Sequence, residues 1–174
     1  MKTRMGFVSN SSSSSFVLAF HEKPESAKQL KSWMFGDDPP TEIGCYDYKA
    51  DTDKVAKAVF EQLGEQLDLD GILGELTTGW LEGVNRNWND PNAPEVWIKD
   101  ENGKDIFNPA YEEWSEEEGK REVLRALEYF SKWKCPDDQV FFKVEFGDEN
   151  GPFEAVCEHG DIFENIHHIR VSHH

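Results

Sequence analysis

Val140, Phe142, Val144 and Phe146 alternate with Phe141, Lys143 and Glu145. Successive side chains of an extended chain point to opposite faces, so this spacing predicts a strand with one face buried. Asp148-Glu149-Asn150-Gly151 follows as turn chemistry, and Phe153, Ala155 and Cys157 alternate again. His159-Gly160-Asp161 makes a second turn, and Ile166 to Val171 reads as a third strand. The expectation is a C-terminal antiparallel β-meander.

Upstream, Phe16-Val17-Leu18-Ala19-Phe20 is a short continuous apolar run, the pattern of a buried strand. A helix is expected from Glu25 to Phe35, with Ala27, Leu30, Trp33 and Met34 inward, closed by Gly36-Asp37-Asp38-Pro39-Pro40. Ile43 to Tyr48 fits a second strand. Asp51 or Thr52 caps a helix reaching about Leu67, with Val55, Val59, Leu63 and Leu67 in one stripe. From Asp70 to Pro94 four glycines interrupt a helical pattern. Asn108-Pro109 is the clearest helix start, an Asn cap with proline at the first helical position. Trp114, Leu124, Leu127 and Phe130 are expected on its buried side, Gly119 at a kink, and Cys135-Pro136 at its end. Most tryptophans are expected in the core, with Trp88, between two asparagines, as an exposed anchor. The predicted fold is α+β in one domain. A meander packs with an N-terminal strand and three to four helices over residues 16–174, preceded by a Ser-rich segment, 1–15.

Charge narrows the function. The 174 residues carry a formal charge of −17, and residues 51–120 hold eighteen acids against six bases. Such a field repels phosphates and argues against direct nucleic-acid binding. No stretch approaches the roughly 20 apolar residues of a membrane span. Met5 to Val8 is too short for a signal-peptide core. Cys45, Cys135 and Cys157 form no disulfide framework and fit a reducing, cytoplasmic setting.

One motif stands out: Gly6-Phe7-Val8-Ser9-Asn10-Ser11-Ser12-Ser13-Ser14-Ser15-Phe16. It resembles the N-terminus of a group of phage and bacterial proteins of unknown function. The likeness spans residues 4–20 and implies a bacterial or phage cytoplasmic setting. Physically, Ser9, Asn10, Ser11, Ser12, Ser13, Ser14 and Ser15 are small polar residues between apolar anchors. They read either as a flexible tail or as a loop that recognises a partner or an anion with help from Lys2 and Arg4. A nucleophilic serine needs a positioned base, and no G-x-S-x-G elbow occurs.

Five of six histidines fall in the last sixteen residues. His159, His167, His168 and His173 are candidate ligands for zinc. Against this, no finger spacing occurs, and on a strand His167 and His168 face opposite ways. An ordinary polar strand with a His-rich end is the competing reading.

Glu112, Glu113, Glu116 and Glu117 lie at helical spacing and form a candidate phosphate mimic. Ordinary helix support competes, because Lys120 and Arg121 follow four residues after Glu116 and Glu117. The expected function is a small acidic binding protein that engages a basic protein partner, as a decoy or inhibitor. The alternative is a metal-dependent or anion-binding enzyme using the His-rich end.

Overall fold

The computed structural model describes residues 13–85, 90–135, 138–147 and 151–173. Ser9, Asn10, Ser11, Ser12 and Trp88 lie outside these residues, as do Lys2 and Arg4. The fold is α+β, built on a sheet ordered β6-β1-β7, from strands β1 (Ser13–Phe20), β6 (Val140–Gly147) and β7 (His168–Ser172). Both neighbours run antiparallel to β1, with Phe16 opposite Val144 on one side and Arg170 on the other. The central place of β1 explains its unbroken apolar run. Phe16, Leu18 and Phe20 face one core, Val17 faces a second, and all are buried.

Helices cover both faces. On the Phe16 face lie α1 (Ala27–Phe35), α2 (Thr52–Gln62) and α5 (Pro152–His159), contributing Leu30, Met34, Val55, Val59 and Val156. On the Val17 face lie α3 (Leu69–Thr78) and the C-terminal half of α4 (Pro109–Trp133), contributing Ile72, Leu76, Ala126 and Phe130. Two hairpins complete the described elements: β2 (Glu42–Cys45) with β3 (Tyr48–Asp51), and β4 (Trp97–Lys99) with β5 (Asp105–Phe107). Among the described residues no helix is long and apolar enough to cross a membrane.

Local chemistry accounts for the helix starts. Ser26, Asp51, Asp68 and Asn108 each accept a backbone N–H of the first turn. Gly79, just after α3, has a structural reason of another kind. A Cβ there would lie 2.6 Å from the Ser172 carbonyl oxygen and from Val171 Cγ1, so only glycine lets this segment pair with β7.

Five expectations are corrected. The expected middle strand of the meander, Phe153 to Cys157, is helix α5, and β1 fills the place between β6 and β7. Five residues satisfy both periods, and Pro152 at the first helical position decides between them, after Gly151 at φ +112°. The α2 stripe stops short of Leu67, since Gln62 ends the helix. Leu124 and Leu127 face outward, Leu124 with 64 % of its surface exposed. Finally, Trp33, Trp80, Trp97, Trp114 and Trp133 are all at least partly exposed, while Phe, Val, Leu and Ile fill the core. A ring that large is rarely enclosed on every side. The helix α4 runs through Gly119 without a break.

Candidate functional site

Two regions gather chemistry beyond what packing needs. The first begins where the serine run enters the sheet. Ser13 opens β1, and Ser14 and Ser15 are fully buried. Side chains alternate along the strand, so Ser14 shares the face of Phe16 and Ser15 that of Val17. Ser14 Oγ donates to Glu158 Oε1 at 3.0 Å and accepts from Arg170 Nε at 3.1 Å. Arg170 Nη2 lies 3.6 Å from the same carboxylate oxygen. It also donates to His159 Nδ1 at 3.2 Å. A guanidinium only donates, so that ring nitrogen accepts and Nε2 carries the proton. Nε2 lies 3.5 Å from Glu158 Oε2.

The Glu158 side chain has no exposed surface, and an unpaired carboxylate there would be costly. Ser14, Arg170 and His159 together satisfy it. Ser14 is closed off from any substrate, which removes it as a nucleophile. Cys157, next to Glu158, is no better placed: burial, reinforced by the charge of Glu154, pushes its thiol up to about 12. Burial raises Glu154 as well, against a hydrogen bond from the Gly147 backbone.

The other histidines go elsewhere. His173 Nε2 is hydrogen-bonded to Ser15 Oγ at 2.9 Å. His167 stacks on Trp133 with ring centroids 4.2 Å apart and donates from Nε2 to the Trp133 carbonyl at 2.8 Å. His168 donates from Nδ1 to the Ile166 carbonyl and lies near Phe16 and Phe163. Among the described residues, no three of His, Cys, Asp or Glu are placed to hold a metal ion, and each described histidine of the candidate zinc set has a different neighbourhood.

The second region is the outer side of α4. Its inner side carries Ala126 and Phe130 into the core and holds Glu118, which is buried. Glu118 accepts from Arg125 at 2.7 Å and from Arg121 at 3.0 Å, and Arg125 also donates to the Val84 carbonyl. The Arg125 hydrogen bond, opposed by burial and helped by Arg121, holds this carboxyl below the usual range. Its inward position was not singled out from the sequence, where it is one glutamate among six. The i, i+3 and i+4 spacing from Arg121 and from the inward Trp114 was the available signal.

Glu112, Glu113, Glu116 and Glu117 are all exposed along the N-terminal half of the outer side. Glu117 pairs with Arg121 at 3.4 Å, as helical spacing predicts. Val123, Leu124 and Leu127 continue the same side, exposed and apolar. A chain of rings lies at the helix start: Trp97 against Phe107, Phe107 against Tyr111, and Tyr111 against Trp114, at 5.6 to 5.9 Å. Trp97 is 60 % exposed and Phe107 44 %. Trp88, the tryptophan expected as an exposed anchor, lies outside the described residues, among which Trp97 is the most exposed tryptophan. At 1.5 Å per residue α4 is about 37 Å long, enough to present acidic and apolar halves in succession. Set against known proteins, the chain matches no family, no curated protein and no solved structure.

Proposed function

We propose that this protein acts by binding a basic, amphipathic protein segment along the outer side of α4 and the β4–β5 hairpin. The observation that carries this reading is the outward display of Val123, Leu124 and Leu127 beside four exposed glutamates. Apolar residues grouped on a surface are worth burying, and each would contribute roughly 1–2 kcal/mol if covered. The charge selects what covers them. A second copy would bring its own −17 and the same glutamates, whereas a Lys- or Arg-rich partner is attracted. Leucines also argue for a protein partner's side chains over a purely electrostatic mimic of nucleic acid, because phosphate mimicry has no use for them. A decoy that occupies the basic groove of another protein is the form this function takes if the partner normally holds nucleic acid.

The test uses two synthetic helical peptides of equal positive charge, one with leucines at helical spacing and one without, followed by fluorescence anisotropy. The leucine-bearing peptide is expected to bind at least about tenfold more tightly, with affinity falling as salt rises. The double variant Leu124→Ser, Leu127→Ser should remove that difference. Equal binding of both peptides, or no binding of either, overturns the reading.

A further inference from the structure

Beside the Ser14–Glu158–Arg170 cluster the surface opens into a cleft of about 360 Å³, bordered by α5, β7 and the loop between them. Phe16, Glu158, Asp161, Phe163, Glu164 and Arg170 line it. A volume near the low end of ligand pockets, which run from roughly 300 to 1,000 Å³, suits a small molecule. Its polar groups carry both signs. The Arg170 guanidinium stands 5.7 Å from the Phe16 ring centre, and its side chain is 39 % exposed although Ser14, Glu158 and His159 hold it in place. Asp161 and Glu164 are exposed carboxylates of the same lining.

The backbone at this end of the molecule is fixed by local turns. Among the described residues only two non-glycines have positive φ, Asp161 at 50° and Tyr46 at 53°. Asp161 lines the cleft, and the Tyr46 ring lies edge-on to His159, the Arg170 partner, at 6.1 Å. Asp161 takes this conformation just past the end of α5 and Tyr46 in the two-residue β2–β3 turn, so fixed local turns hold both in place.

We propose that this cleft binds a free amino acid, its carboxylate against Arg170, its ammonium at Asp161 and Glu164, and its side chain on Phe16 and Phe163. A simple anion fits poorly, because two open carboxylates in a strongly acidic protein repel it. A simple cation meets the fixed charge of Arg170. A peptide terminus offers one of the two charges but not both, so the free zwitterion is the ligand that answers each group. The buried Glu158 carboxylate contributes by fixing Arg170, which makes it and Ser14 positioning residues.

The experiment titrates each standard free amino acid into the whole protein by calorimetry, with its decarboxylated amine and its N-acetyl form as controls. At least one amino acid is expected to bind, and both controls to bind roughly tenfold more weakly or less. Asp161→Asn retains a residue tolerant of positive φ, and Glu164→Gln alters an exposed side chain, so both variants should fold. Each should weaken binding about tenfold with an unchanged melting temperature for the free protein. Binding by none of the amino acids, equal binding of the amine or the N-acetyl form, or variants that bind as the parent does would each overturn the proposal. The outer side of α4 takes no part, so the two proposals stand or fall separately.

Discussion

Ser14 donates its hydroxyl proton to Glu158 Oε1 across 3.0 Å, joining the end of the serine run to α5, 144 residues later. Both side chains are buried, so the donor cannot be replaced by water without lifting α5 from the sheet. Ser14→Ala is expected to cost about 1–3 kcal/mol, the range for leaving a buried polar group short of a partner. Ser15→Ala should cost less, about 1 kcal/mol, because its partner His173 is only half-buried and can turn to solvent. Urea denaturation of both variants checks the order, with the slope against urea unchanged. If Ser14→Ala unfolds at the parent midpoint, the bond contributes nothing.

The same substitution at two glycines should have opposite signs. Gly74→Ala puts a methyl into open space on α3, where relief of glycine's backbone entropy gains about 0.5–1 kcal/mol. Gly79→Ala puts one 2.6 Å from the Ser172 carbonyl and from Val171 Cγ1, with His173 Nδ1 at 2.7 Å. Either β7 or the segment after α3 must shift, at a cost of about 1–3 kcal/mol. Thermal melts of the two variants should move in opposite directions. A Gly79→Ala protein as stable as its parent would mean that the close approach relaxes freely.

Much of the fold was legible in the sequence because it is written in short-range pattern. Asn108-Pro109 announced α4, the period-two run announced β6, and the unbroken apolar run at Phe16–Phe20 announced a strand without a solvent face. What sequence reasoning missed depends on pairing at long range. Pro152 was a local sign that Phe153–Cys157 is helical, but nothing local states that β1 lies between the outer strands. The Ser14, Glu158, His159 and Arg170 cluster was equally hidden, since it joins a low-complexity run to two separate elements. The histidines misled because sequence proximity brought five together, while alternation and turns send the described ones to different neighbours.

Acid should weaken the protein partly through Glu118. Its folded-state pKa is lowered by Arg125, with Arg121 adding to the effect. A carboxyl more acidic in the folded state contributes stability that is complete above its unfolded pKa and is lost as pH falls through the folded value. Glu154, raised by burial, works in the opposite direction, so the total curve mixes the two. The clean readout is the difference between the parent and Glu118→Gln. The parent should lead well above pH 4.5, the ordinary carboxyl value, and the gap should close as pH falls below it. A gap that does not change with pH would mean that Glu118 matters for shape alone.

Alkali should act through Cys157 and Lys143 together. The Cys157 thiol is pushed from 9.0 to about 12, chiefly by burial and also by Glu154. Burial opposes the charge on Lys143, but hydrogen bonds to Glu75 at 2.9 Å and Glu145 at 3.2 Å outweigh it and raise its pKa above the ordinary lysine value. Both groups hold their protons more tightly in the folded state. Their contribution is therefore complete below the unfolded pKa values and is lost as pH rises through the folded ones. For Cys157 the fall begins near pH 9 and continues toward about 12, and Cys157→Ala should flatten that part of the curve. Thiol counting gives a second view of the same group. Cys45 and Cys135 are partly exposed and should react with a disulfide reagent at about pH 8 in the native protein, while Cys157 should react only after unfolding. Three thiols reacting at one rate in the native state would mean that α5 opens readily, and the alkaline limb would then need another source.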